Sequence, residues 1–259
     1  MAARKPLIAG NWKMHGRQAD LGQVGEVARM AGKAAQAVDI LFCPPAPLIA
    51  DFARAAKGLP VLVGAQDCAE FGDDGPYTGE ISAAILADAG AKYVIVGHSE
   101  RRAGRAETDL QVRIKAEAAS IAGLAPIVCV GETLDARLSG KAGEVVGRQL
   151  SVSLPHVAPI GLVVAYEPIW CVGTDRTPDP KDIAGMHAQV RAALTARFGS
   201  AAERVRVIYG GSVNPKNAAE ILSIDGVDGA LVGRASLNAA EFAAIIAAHP
   251  VALSANAGN

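Results

Sequence analysis

The sequence has no run of lysine or arginine and almost no net charge: 25 basic side chains against 26 acidic ones leave −1, with an isoelectric point near 6.5. It therefore lacks the basic field that draws in nucleic acid or an anionic membrane, and any anion must be held locally. The four cysteines, Cys43, Cys68, Cys129 and Cys171, form no C-x-x-C pair. This argues against a zinc site or redox motif and favours the reduced thiols of a cytoplasmic protein. The five histidines show neither H-x-H nor H-E-x-x-H spacing, so no metal or cofactor is expected. After MAARKP the apolar run is only Leu7-Ile8-Ala9 before GNWK, too short for a signal peptide or a membrane span. No Pro-, Gly- or Ser-rich linker divides the chain, which reads as one domain over residues 1–259 with a loose tail from about 250.

What is present is apolar and repetitive. Hydrophobic residues make up 51% of the 259 and charged ones 20%, enough for the large core of a soluble globular protein. Short β-branched segments recur at Leu7 to Ala9, Asp39 to Cys43, Val61 to Ala65, Tyr93 to Val96, Pro126 to Val130, Leu162 to Tyr166, Val205 to Tyr209 and Gly229 to Val232. They read as strands buried on both faces. Ala-rich amphipathic stretches lie between them. In DLQVRIKAEAASIAG, Leu110, Ile114, Ala118 and Ile121 recur at helical spacing, with Arg113, Lys115 and Glu117 on the polar side. In TPDPKD, Asp179 suits an N-cap, Pro180 the first helical position and Asp182 the reciprocal third. Eight strand–helix units in a chain of this length fit an α/β fold, a closed (β/α)8 barrel. The rival doubly wound sheet would carry G-x-G-x-x-G after its first strand, where none occurs.

In such a barrel the residues just after each strand share one rim, where barrel enzymes keep their chemistry. That rim would gather Asn11 and Lys13; Gly97, His98, Ser99 and Glu100; Glu167; Gly210, Gly211 and Ser212; and Gly233 and Arg234. An amide, a cation, an imidazole, a carboxylate and two glycine turns could move protons beside a phosphate. GNWKM (10–14), YTGEIS (77–82), VGHSERR (96–102), CVGE (129–132), AYEPIW with its loop (165–178), YGGSV (209–213) and LVGRASL (231–237) then resemble, in order and spacing, the motifs of the triosephosphate isomerase family. The resemblance runs from about residue 6 to 248.

The resemblance implies a TIM barrel that interconverts dihydroxyacetone phosphate and D-glyceraldehyde 3-phosphate through an enediolate. Such a reaction needs a base on carbon, an electrophile on oxygen and exclusion of water. Glu167 is the candidate base, held extended by Pro168. His98 would polarise the substrate oxygens; this family is the reference case of an imidazole kept neutral at a helix N-terminus, here one begun by Ser99 to Arg102. Lys13 and Asn11 would supply a charge and a neutral hydrogen bond. The phosphate would be gripped by the amides of Ser212, Gly233 and Arg234, joined by Gly173. Glu100 reads either as a partner of Lys13 or as an auxiliary proton group, and Ser99 and Cys129 stand behind the reacting groups. His156 and His187 read as structural.

Pro168 to Trp170 and Arg176 to Pro178 read as stiff hinges of a lid whose tip, Cys171 to Asp175, would close over the phosphate and dry the site. The family pattern at the tip is commonly Ala-Ile-Gly-Thr-Gly, so Asp175 implies slightly altered lid kinetics. Arg234 replaces a frequent glycine and His15 a common asparagine. The resemblance also implies a homodimer in which the loop from about Asp67 to Thr78 reaches into the partner, Thr78 supporting Asn11 and Lys13. With His15 in that contact, protonation of its imidazole would weaken the dimer. Two rivals are another phosphosugar barrel enzyme, which would not be expected to carry the Glu167, His98 and Lys13 set, and an inactive barrel scaffold, which would be expected to lose it.

Overall fold

The computed structural model describes residues 4–172 and 178–257. Strands β1 (Leu7–Asn11), β2 (Asp39–Cys43), β3 (Leu62–Ala65), β4 (Tyr93–Val96), β5 (Ala125–Val130), β6 (Val163–Tyr166), β7 (Arg206–Tyr209) and β8 (Gly229–Val232) pair in parallel in chain order. β8 then returns to β1, Leu7 opposite Gly229, closing the (β/α)8 barrel.

The unbroken apolar strands follow from burial on both sides. Tyr93 and Ile95 of β4 join Leu7, Leu41, Ile127 and Ile208 inside the barrel. Val94 and Val96 point outward into a second layer shared with helix residues such as Val112, Val146 and Val190. Each fully buried side chain of this size stabilises the fold by roughly 1.5–3 kcal/mol. At the closing seam Gly229 has φ +139°, and a Cβ there would lie 1.9 Å from the Leu7 carbonyl oxygen. Any side chain at 229 would therefore push β8 off β1. The strand-start end is plugged by Arg206, which reaches Asp39 at 2.9 Å and the Tyr93 hydroxyl at 2.6 Å.

Three sequence expectations need correction. The helix Asp109–Ile121 forms where expected, capped by Thr108, whose hydroxyl accepts the Gln111 N–H at 3.3 Å while Gln111 accepts the Thr108 N–H at 2.9 Å. Of the residues read as its apolar face Ala118 is buried, but the inward face is completed by Val112, Lys115, Ala116 and Ala119, whereas Leu110 and Ile121 are exposed. Lys115 can be buried because Asp67, at 2.9 Å, and Glu107 neutralise it, a partnership that periodicity along one helix does not report. The tail from about 250 is not loose: Pro250–Ala257 is helical. Proline suits its first turn, alanine favours its interior, and Ala252 is fully buried where this helix meets Ala34–Ala37. At the Pro180–Phe198 helix, Asp179 caps as expected, accepting the Lys181 N–H at 2.8 Å. Asp182 instead lies 3.6 Å from Arg137.

Candidate active site

The ends of β1, β4, β6, β7 and β8 converge on a cavity of about 480 Å³, lined by Asn11, Lys13, His15, His98, Glu167, Ser212, Gly233 and Arg234 among others. Lys13 stands just beyond β1 with φ +52°, a left-handed backbone costing about 1–3 kcal/mol unless its surroundings hold it. The side-chain oxygen of Asn11, at the end of that strand, does so by accepting the Lys13 N–H at 3.0 Å. The Lys13 ammonium then reaches Glu100 at 2.5 Å. Of the two readings of Glu100, partner of Lys13 is the one this contact favours.

His98 ends the turn after β4 and caps the helix Ser99–Arg105, its Nδ1 accepting the Glu100 N–H at 3.2 Å. A ring nitrogen that accepts an amide proton carries none itself, so the proton of the neutral ring resides on Nε2. Nε2 faces Glu167 Oε1 at 2.9 Å, so a proton on Nε2 is shared with that oxygen. Its twin, Oε2, accepts the Ser99 N–H at 3.0 Å. One oxygen is thus fixed by an amide at a helix start and the other meets a ring that can change its own charge, in a residue 1% exposed.

The two groups tune each other. Burial pushes Glu167 up, but the His98 ring, the Ser99 amide and Lys13 outweigh it and hold the carboxyl below its ordinary value. Burial pushes His98 down, but the Glu167 and Glu100 carboxylates outweigh it and hold the ring above its ordinary value. The expected neutral ring is therefore favoured by the Nδ1 geometry and opposed by the neighbouring carboxylates, and the pair titrates as a unit. Cys129 lies behind Glu167, where burial and that carboxylate keep its thiol protonated.

Glu167 is held by main chain. Its N–H donates to the Val130 carbonyl at 2.8 Å, and the Ile169 N–H donates to the Glu132 carbonyl at 3.0 Å. Trp170 follows, its indole N–H on the buried Glu132 carboxylate at 3.1 Å, which Arg137 also grips at 2.8 Å. Val172 borders the cavity; Gly173 to Asp175 of the expected lid tip, and Arg176 and Thr177 of its second hinge, lie outside the described residues. The loop after β8 is shaped by Ser236, whose hydroxyl donates to the Gly233 carbonyl at 2.7 Å.

The structure brings Asn11, Lys13, His98, Glu167, Ser212, Gly233 and Arg234 around one cavity, with Ser99, Glu100 and Cys129 behind them. His15 also reaches its wall. Thr78 stands exposed on its loop and lines neither this cavity nor a second, of about 590 Å³, that shares Asn11, Lys13 and His98. Sequence reasoning passed over Gly131 and Gln149, which bear on Glu167 from behind. The glycine of CVGE was the only signal available.

A buried carboxylate, an imidazole beside it and a lysine across the cavity define, on a parallel barrel, an enzyme equipped for proton transfer next to an anion. The family profile described as triosephosphate isomerase matches residues 6–249. The triosephosphate isomerase of Afipia carboxidovorans is 56% identical over 248 residues, covering 95% of this chain and 98% of the relative. That of Xanthobacter flavus is 51% identical, covering 94% and 97%. The crystal structure of triosephosphate isomerase from Bartonella henselae superposes with a TM-score of 0.87 at 43% identity, covering 94% of this chain and 98% of that one. The chain belongs to the triosephosphate isomerase family.

Proposed function

We propose that this chain interconverts dihydroxyacetone phosphate and D-glyceraldehyde 3-phosphate, with Glu167 moving the proton between adjacent carbons. The reaction needs no cofactor. The observation that carries the assignment of the base is the buried Glu167 carboxylate on the cavity wall, its Oε1 facing the titratable His98 Nε2 at 2.9 Å. Glu167 Oε1 takes the carbon-bound proton, His98 donates from Nε2 to the substrate oxygens as charge develops on them, and Lys13 stabilises the enediolate. General acid–base groups so placed contribute typically about 10²–10⁴-fold each. Asn11 keeps Lys13 in its strained conformation. The amides of Ser212, Gly233 and Arg234 take the phosphate.

The active unit is a homodimer in the cytoplasm. The loop that would enter a partner is exposed and carries Phe71 stacked on Tyr77 at 3.7 Å between ring centroids. Met14, 95% exposed, projects beside the second cavity. The four cysteines are buried and outside any disulfide, and among the described residues no helix is long and apolar enough to cross a membrane.

A coupled assay of glyceraldehyde 3-phosphate isomerisation tests the reading. The wild type should turn over rapidly and Glu167→Gln should lose at least about 10²-fold in kcat. Absence of turnover by a folded wild type would refute the reaction, and an active Glu167→Gln would refute the base.

A further inference from the structure

Beyond the end of β4 the sheet has a gap. β4 stops at Val96 and the chain turns away into the helix Ser99–Arg105, while the chain beyond the end of its neighbour β5 continues through Gly131 and Glu132 alongside the segment carrying Glu167. On that side Val130 and Glu132 accept the Glu167 and Ile169 amides. Alternation along a strand turns the N–H and C=O of Gly131 the other way, towards the place β4 has vacated. Buried main-chain groups left there unpaired would cost about 1–3 kcal/mol each.

One side chain fills the vacancy. Gln149, from the helix Ala142–Ser153 and 8% exposed, accepts the Gly131 N–H on Oε1 at 2.7 Å and donates from Nε2 to the Gly131 carbonyl at 3.1 Å. An amide side chain used in this way copies both hydrogen bonds of a neighbouring strand. On its other flank Gly131 is pressed against the candidate base, because a Cβ at 131 would lie 1.7 Å from the Glu167 carbonyl oxygen. Gln149, Gly131 and the Glu167 backbone therefore form a continuous contact from an outer helix to the main chain that carries the candidate base. Arg102 closes the same gap one step earlier, donating to the Gly97 carbonyl at 2.7 Å and the Cys129 carbonyl at 3.0 Å.

We infer that Gln149 is a positioning residue for Glu167, acting as a one-residue substitute for the missing strand and setting the carboxylate's height above the barrel through Gly131. The inference rests on Glu167 being the base. Removing the clamp frees residues 130–132 to shift, and the Glu167 backbone in contact with them shifts too. A displacement on the order of 1 Å at a reacting group can cost about 10²-fold in rate. Substrate phosphate would be held on the far side of the cavity by the loops after β7 and β8, so its affinity should survive.

Gln149→Met tests this, since it keeps length and approximate volume while removing both hydrogen bonds; Gln149→Glu, which keeps an acceptor for the Gly131 N–H but sets an oxygen against its carbonyl, serves if the first variant folds poorly. Both are assayed beside wild type and Glu167→Gln, with kcat and KM separated and the acid limb of the kcat profile followed. The expected result is a kcat about 10-fold lower, KM within about twofold, and an acid limb displaced to higher pH as Glu167 loses alignment with His98 and Ser99. A variant of lowered thermal stability whose kcat and acid limb match the wild type would overturn the inference and leave Gln149 a purely structural residue. Full activity in Glu167→Gln would instead overturn the assignment of the base.

Discussion

Glu107 and Glu167 are both carboxylates sealed from water in this barrel, and their surroundings differ in one respect that decides what each can do. Glu107, 8% exposed, is gripped by the Lys115 ammonium and by the Arg101 guanidinium at 3.3 Å, with Asp67 completing the cluster between Lys115, at 2.9 Å, and Arg101, at 2.6 Å. Glu167, 1% exposed, has against its oxygens an imidazole and an amide. A permanent cation at contact distance makes a carboxylate a strut, because protonating or moving it would leave a buried charge alone. An imidazole can change its own charge and an amide has none, so Glu167 can accept a proton while its neighbours adjust. The lesson is that burial does not distinguish a base from a strut; the nature of the partners does.

The comparison breaks if the two sites respond alike to loss of a charge. Lys115→Met should destabilise the fold by about 3–5 kcal/mol, as removal of one member of a buried ion pair does, while the activity of each folded molecule stays close to that of the wild type. Glu167→Gln should do the reverse, with stability within about 1 kcal/mol since its amide oxygen can still accept the Ser99 N–H. Urea unfolding and specific activity measured on both variants decide the point. Equal losses of stability would show that Glu167 too is a strut.

The histidines sharpen it. His98 is drawn above its ordinary value by carboxylates. His187, fully buried with Nδ1 on the Gly226 carbonyl at 3.0 Å and no partner for Nε2 among the described residues, is pushed down by burial to about 4. The native state resists protonating His187 while the unfolded chain accepts the proton below its ordinary value, so stability falls as pH falls from the ordinary histidine value towards about 4. The loss should reach about 3 kcal/mol at roughly 1.4 kcal/mol per pH unit. Unfolding of His187→Gln should lack that component of the slope; an identical slope would mean that other groups carry it. The smallest effect is expected at His15, where sedimentation of wild type and His15→Asn should differ slightly in the concentration dependence of the proposed homodimer. Identical profiles would remove His15 from the proposed contact.

Much of this was legible before the structure. The strands were readable because residues such as Val94 and Ile95 are buried on opposite faces and so must both be apolar. Asn11, Lys13, His98 and Glu167 were readable because strand ends bring them to one rim. The helix Asp109–Ile121 was located correctly but turned the wrong way, since a lysine reads as solvent-facing until Asp67 and Glu107 arrive from elsewhere in the chain. The final helix was missed because its buried anchor, Ala252, looks no different in the sequence from any other alanine. Gln149 left no trace because its partners are main-chain groups, which every residue possesses.

The most direct test of the account is isomerisation of dihydroxyacetone phosphate in D2O, followed by NMR for wild type and Glu167→Gln. Transfer through a side-chain base that exchanges with solvent predicts deuterium on the carbon that receives the proton in wild-type product, and both labelling and turnover lowered at least about 10²-fold in the variant. Rapid turnover without the carboxylate, or wild-type product carrying no solvent deuterium, would contradict it.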